Sequence, residues 1–331
     1  MKSRILFYGG VLLAIVLFGV YTMWMPGTRF HGTVPAPSAE VQSLATALKA
    51  HVVALSQDIG ERRVELGDSM ARAQHYLATI AGEIAGRSRP GVRLEDVGIN
   101  GGHANNVVWE LPGMSSELVL VGAHYDSAEG APGADDNASG VAATLELAKR
   151  LSTCRLRRTV RFVLFANEEP PYFQNPGMGS LAHARGCRQR GERIEAMLSL
   201  ESIGYYSDSP HSQKYPHLIG LLYPDRGDFV TFVGNLDSRS LVRRAIGSFR
   251  NSTQFPSEGA ALPARVPGID WSDHWAFWQY GYPAIMVTDT AIFRDPHYHE
   301  RTDAPTTIDY VRLATVTLGI QSVIEDLAGR L

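Results

Sequence analysis

Five short polar clusters stand out along the chain: His124-Tyr125-Asp126, Asp135-Asp136-Asn137, Glu168-Glu169, Glu201 and His297-Tyr298-His299. One acidic pair alone is ordinary, because a helix N-cap or a solvated turn accounts for it. A set that mixes imidazoles with carboxylates is chemically different. Carboxylates brought together repel unless cations compensate them, and His combined with Asp or Glu is a donor set suited to zinc. The two cysteines, Cys154 and Cys187, do not extend that set, since neither has a second cysteine at close spacing. In an oxidising compartment they could pair, and the sequence leaves pairing and two free thiols equally open.

The clusters gain meaning from the elements that precede them. Residues 106–111, 118–123, 160–166, 196–200, 218–223 and 283–287 are apolar runs of strand length. Helical patterns fall at 38–55, 66–85, 140–151, from 178, at 238–249 and at 308–327. Continuous apolar strands alternating with amphipathic helices predict an α/β fold, with a largely parallel mixed sheet covered by helices on both faces. Ligands of such sheets gather at the carboxyl ends of the strands. His124 and Glu201 follow a strand directly, Glu168-Glu169 come one residue after the 160–166 strand, and His299 ends the loop after the 283–287 strand. The clusters are therefore expected at one edge of one sheet.

The chain is 331 residues long and 44% hydrophobic, enough for a full core. Its net charge of -3 gives no basic face, so nucleic acid is excluded as an expected partner. Lys2 and Arg4 precede an uncharged apolar run over residues 5–25. About 20 such residues span a bilayer as a helix, and basic residues before the run favour a cytoplasmic N-terminus. Bulky Tyr21, Met23, Trp24 and Met25 stand where a cleaved signal peptide would carry small residues. The expected organisation is a membrane anchor over 1–25, a linker over 26–37 and a catalytic domain over 38–331, outside the cytoplasm.

Five motifs in order carry a resemblance: Gly122-Ala123-His124-Tyr125-Asp126-Ser127, Gly133 through Gly140 (Gly-Ala-Asp-Asp-Asn-Ala-Ser-Gly), Phe165-Ala166-Asn167-Glu168-Glu169, Ser272-Asp273-His274, and His299 through Asp303. The chain resembles the co-catalytic two-zinc aminopeptidases, whose relatives include leucyl-type zinc aminopeptidases, glutamate carboxypeptidase, the transferrin-receptor ectodomain and the glutaminyl cyclases. The resemblance covers residues 100–310 and implies a zinc exopeptidase with two zinc ions, acting on peptides with a free N-terminus. It implies that His124, Asp136, Glu169, Glu201 and His299 are metal ligands, with Asp136 bridging both ions because it stands three residues before Ser139-Gly140. It implies that Glu168 is the general base and that Asp126 orients His124. Asp273 and His274 match a motif near the family's substrate pocket, and Tyr205, Trp275 and Tyr298 are further pocket candidates.

Two departures from the family pattern matter. Glu201 takes the place of the common Asp ligand, one methylene longer. The stretch from Pro170 to Pro176 is longer than the corresponding loop of simple aminopeptidases and is a candidate for the pocket rim. A glutaminyl cyclase, with one zinc, and a non-catalytic binding ectodomain are the rival readings. The Ala-Asp-Asp-Asn-Ala-Ser-Gly loop and Asn167 favour the peptidase over the first, and the intact ligand set argues against the second.

Overall fold

The computed structural model describes residues 2–86, 91–98 and 104–331. Its strands are β1 (Arg93–Asp96), β2 (Asn105–Leu111), β3 (Ser115–His124), β4 (Arg158–Phe165), β5 (Ile194–Glu201), β6 (Val230–Gly234), β7 (Ser257–Ala261) and β8 (Ala284–Thr288). They form one sheet in the order β1-β2-β4-β3-β5-β8-β6-β7. The centre is parallel, from β4 through β3 and β5 to β8, as is the β6–β7 pair. The β1–β2, β2–β4 and β6–β8 pairs are antiparallel. The sheet is therefore mixed, with its parallel part where the polar clusters lie.

The helices are α1 (Lys2–Met23), α2 (Ala39–Val53), α3 (Ser69–Ala85), α4 (Gly140–Leu151), α5 (Gly179–Gln189), α6 (Arg239–Ser252), α7 (His274–Trp278) and α8 (Tyr310–Ala328). Side-chain alternation along β3 divides the core. Val119, Val121 and Ala123 join α2, α3, α4, α6 and α8 on one face. Leu118 and Leu120 join Ala184 and Cys187 of α5 and Phe277 of α7 on the other. Cys154 packs against the first cluster and Cys187 lies in the second, so the sheet separates them and both are free thiols. Caps mark the ends of α2 and α8: Ser38 Oγ accepts from the Val41 amide at 3.2 Å, and Asp309 Oδ1 from the Arg312 amide at 3.0 Å.

One expected strand is not a strand. Residues 218–223 fall in a 3₁₀ turn over His217–Leu221, with Leu221 and Leu222 exposed. The strand belongs to residues 230–234, which are buried throughout. A short apolar run between Pro216 and Pro224 carries no periodicity that separates strand from turn, and here burial decides. The edge strands β1 and β7 also escaped sequence reading, because Arg-Leu-Glu-Asp and Ser-Glu-Gly-Ala-Ala have weak strand character.

At the N-terminus, α1 runs 22 residues. Among the described residues no helix is long and apolar enough to cross a membrane, and the side chains of residues 2–6, 12 and 14–16 within the expected anchor lie outside the described set. The linker does not hang free. Met25 is buried, and Arg250 Nη1 donates to the Pro26 carbonyl at 3.1 Å.

A buried arginine that sequence reading passed over braces the site loops. Arg62 Nε donates to the Tyr125 carbonyl at 2.6 Å, Nη1 to those of Leu55, Gly60 and Pro132, and Nη2 to that of Gly133 at 2.9 Å. Burial lowers its pKa to about 10, so it stays charged at neutral pH. It thereby ties the turn after β3 to the turn that enters the Asp136 loop. Gly133 is required there: its φ is +64°, and a Cβ would lie 2.4 Å from the Asp136 carbonyl oxygen. Arg62→Met should cost on the order of 3–5 kcal/mol, because several buried carbonyls lose their donor at about 1–3 kcal/mol each. Urea unfolding of the two proteins measures it, and a change below about 1 kcal/mol would show that water replaces the guanidinium.

Candidate metal centre

The parallel centre of the sheet delivers the ligand candidates to one place. His124 is the last residue of β3 and Glu201 the last of β5. Glu168 and Glu169 follow β4, and His299 ends the loop after β8. Asp136 comes from the loop between β3 and α4. There Asp303 accepts from the amides of Asp135 and Asp136 at 2.8 and 3.1 Å and pins the backbone.

Two donor groups result: His124, Asp136 and Glu201 in one, and Asp136, Glu169 and His299 in the other, each with its ligand atoms within 4.8 Å of one another. Asp136 belongs to both and faces them with different oxygens. Its Oδ1 is 3.2 Å from His124 Nε2 and its Oδ2 is 3.1 Å from His299 Nε2. Glu201 Oε2 lies 3.3 Å from His124 Nε2, and Glu169 Oε1 lies 3.3 Å from His299 Nε2. Asp136 Oδ1 and Glu169 Oε1 are buried and accept no hydrogen bond. Buried carboxylate oxygens without donors, aimed at imidazole nitrogens, fit a pair of cations of the zinc type.

Asp126 sits behind this group. Its carboxylate lies 3.4 Å from His124 Nδ1 and accepts from the amides of Glu168 and Glu169 at 3.0 and 2.9 Å. One side chain thus fixes the ring of His124 and the backbone of the glutamate pair. The longer Glu201 is clamped by residues without an assigned role in the sequence reading. Ser272 Oγ donates to its Oε2 at 2.8 Å and Ser202 Oγ to its Oε1 at 3.1 Å. Ser272 lay inside a recognised motif; Ser202, just past β5 with a backbone φ of +45°, carried no signal.

The electrostatics follow from burial. Burial pushes the Glu168 carboxyl well above its ordinary value, with Glu169 and Glu201 adding to the rise against the pull of His124. Burial and Asp136 raise Glu169 to about 7. Burial works against ionised Asp136 too, yet the adjoining imidazoles of His124 and His299 hold it far below the carboxylate range. For His299 burial alone would lower the imidazole, but Asp136 and Glu169 prevail and lift it to about 10. The whole cluster is built to hold positive charge.

A cleft opens beside the donor groups, lined by Asp136, Glu168 and Glu201 at one end and mostly apolar side chains beyond. Of the five pocket candidates only Tyr298 lines it, stacked on His299 with ring centroids 3.9 Å apart. Asp273 is fully buried behind the ligands, where burial raises its carboxyl to about 7 against the pull of His124. His274 is also buried, donating from Nε2 to the Ile269 carbonyl at 2.7 Å and standing edge-on to Trp278. Trp275 packs against the α5–α7 core, and Tyr205 packs edge-on to His297, outside the cleft lining. The sequence placed these four near the motifs, but α7 turns His274 and Trp275 away from the cleft, and Asp273 and Tyr205 do not line it. The Pro170–Pro171 loop is not part of the lining either: Tyr172 donates to Glu65 and Gln174 to the Asp270 carbonyl.

Comparison with known proteins places this geometry. An uncharacterised Escherichia coli protein, YfbL, is 34% identical over 323 residues, covering 95% of this chain and 96% of its own. Leucine aminopeptidase 1 of Arthroderma otae is 30% identical over 226 residues, 62% of this chain and 52% of that protein, so the chain spans about half its length. Among solved structures, a zinc aminopeptidase from Bacillus subtilis superposes with a TM-score of 0.63 at 14% identity, covering 85% of this chain and 94% of its own. The glutaminyl cyclase of Macrostomum lignano does so with 0.64 at 17% identity, covering 91% and 97%. At these identities both likenesses speak for the fold and do not choose between the two activities. The profile of peptidase family M28 matches residues 106–324, and the chain belongs to that family.

Proposed function

We propose that this protein is a zinc-dependent aminopeptidase that removes the N-terminal residue of peptides. The observation that carries the reading is Asp136, whose two oxygens face two separate donor groups, His124 with Glu201 and Glu169 with His299. The aminopeptidase names among the sequence relatives support it. Two cations held there would polarise the scissile carbonyl and make water a nucleophile near neutral pH.

The chain's own groups do the remainder. Asp126 orients His124 and, through two amides, aims Glu168 and Glu169. Glu168 stands in the cleft and belongs to neither donor group. It takes a proton from the attacking water and returns it to the leaving amine. The apolar wall of the cleft receives the side chain of the departing residue and keeps bulk water from the reacting carbonyl.

Hydrolysis of leucine p-nitroanilide, abolished by a chelator and restored by zinc, is the expected result. No hydrolysis together with cyclisation of an N-terminal glutaminyl peptide would replace this reading with the cyclase. Zinc absent from purified protein, with neither activity, would leave a binding ectodomain.

We further propose that α1 anchors the enzyme in a membrane with the catalytic domain outside the cytoplasm. The motivation is the sequence, in which an uncharged apolar run over residues 5–25 follows Lys2 and Arg4. Phe7, Tyr8, Val11, Leu13, Leu17 and Phe18 project from it unburied. The full-length protein should stay with membranes after alkaline carbonate extraction. Mature protein released with an N-terminus beyond residue 25 would reject the anchor.

A further inference from the structure

The cleft contains one carboxylate that hydrolysis does not use. Glu258 on β7 lines it among Val233, Ala260, Leu262 and Met286, with its side chain only 6% exposed. An ionised carboxylate in such surroundings requires a partner. Arg29, from the chain between α1 and α2, supplies it by an ion pair. Tyr215, Tyr223 and Asp228 also surround that guanidinium.

The sheet register relates Glu258 to the metal centre. Glu201 is opposite Thr288, Thr288 opposite Thr231, and Thr231 opposite Glu258. Residues in register share a face, so the two glutamates stand on one side of the sheet, three strands apart. At about 4.8 Å per strand the separation is roughly 14 Å. Thr288 and Thr231 line the cleft between them, and the buried Thr231 hydroxyl has no hydrogen-bond partner. A substrate side chain that reaches from the scissile carbonyl to Glu258 must be long, apolar along its stem and cationic at its tip. Arginine and lysine have that form, and leucine is too short.

Arg29 meets the same carboxylate on a fastened tether. Met25 packs on Gly259, where an added Cβ would lie 2.9 Å from Met25 Cγ. Arg239 and Arg243 of α6 donate to the Tyr21 and Trp24 carbonyls at 2.6 Å, and Arg250 donates to that of Pro26. The segment joining α1 to α2 is thus bound to α6 and β7, which brings Arg29 to Glu258.

We propose that Glu258 is a specificity carboxylate for a basic N-terminal side chain, and that Arg29 occupies it in cis, biasing the enzyme toward apolar N-termini. The substrate part rests on the aminopeptidase reading; the cation-binding part does not. Removing the guanidinium leaves a buried carboxylate that a substrate guanidinium or ammonium can satisfy.

The test compares full-length wild type, Arg29→Gln, Glu258→Gln and the double variant, all zinc-loaded in detergent. The first readout is kcat/KM for arginine p-nitroanilide relative to leucine p-nitroanilide. Arg29→Gln should raise this ratio by about tenfold or more, the scale of one charge-assisted hydrogen bond. The double variant should lose that gain, and Glu258→Gln alone should fall below wild type because an unpaired Arg29 repels a cationic substrate. The second readout is thermal stabilisation by agmatine, an alkylguanidinium that needs no turnover. It should appear in Arg29→Gln and be absent from the double variant. An unchanged ratio with no agmatine effect would overturn the proposal and leave the pair a fastener of the linker. Agmatine stabilisation with no hydrolysis of either anilide would retain the cation site and reject the aminopeptidase reading. Should Arg29→Gln fail to fold, the Glu258→Gln ratio decides: a value equal to wild type overturns the proposal.

Discussion

Glu168→Gln is expected to keep its zinc and lose about 10²–10⁴-fold in kcat, the range for removal of a general base. Neither donor group includes Glu168, so the metal content should change little. The backbone position does not depend on the side chain either, because the Glu168 amide is held by Asp126 Oδ1 at 3.0 Å. Glutamine preserves shape and polarity but cannot accept a proton and hand it on. Steady-state kinetics and elemental analysis of the same sample check both halves. Loss of zinc would make Glu168 a ligand, and near-normal turnover would remove it from proton transfer.

Asp136→Asn should empty both metal positions, whereas His299→Ala should chiefly empty one. Asp136 contributes Oδ1 to the group with His124 and Glu201, and Oδ2 to the group with Glu169 and His299. An asparagine keeps one oxygen, forfeits the charge and sets an amide nitrogen toward the other group. His299 serves only the second group and is also the more exposed imidazole, with 37% of its side chain accessible against 1% for His124. The cost of leaving the carboxylates uncompensated shows why both ions are needed. Two unit charges 4 Å apart repel by about 4 kcal/mol at an effective dielectric of 20. Anomalous scattering at the zinc edge should give two peaks flanking Asp136 in wild type, one dominant peak in His299→Ala and none in Asp136→Asn. A single peak in fully active, zinc-replete wild type would refute the bridge and favour a cyclase-like centre.

The ligand candidates were legible because the chemistry and the topology coincide. In a parallel sheet every strand ends at the same edge, so polar residues that follow apolar runs converge whatever the intervening helices do. That rule alone gathers His124, Glu168, Glu169 and Glu201 into one cluster, while the division into ligands and base came only with the family resemblance; His124 Nε2 lies 4.0 Å from Glu168 Oε2. Asp136 and His299 arrive on loops, and for these the motif, not the periodicity, pointed the way. The pocket could not be read in the same manner. Trp275 and His274 adjoin a motif in sequence, yet a helix turns its successive side chains through about 100° each, and α7 directs these two toward the core.

The sequence by itself determined the α/β class, the strand-end donors and the apolar N-terminal run, because burial periodicity and residue chemistry are local properties. Tertiary structure alone decided the rest. Arg62 looks like any surface arginine until the distant carbonyls of Tyr125, Pro132 and Gly133 close around it with the nearby ones of Leu55 and Gly60. Ser202 and Ser272, 70 positions apart, become partners only through the carboxylate of Glu201. Cys154 and Cys187 are kept apart by the sheet, a separation no spacing reveals. Arg29 and Glu258 lie in a linker and a weak edge strand, and their pairing depends on a chain path fastened by three arginines of α6. Each of these arrangements relates residues far apart in the chain, and it exists only once the intervening chain has folded.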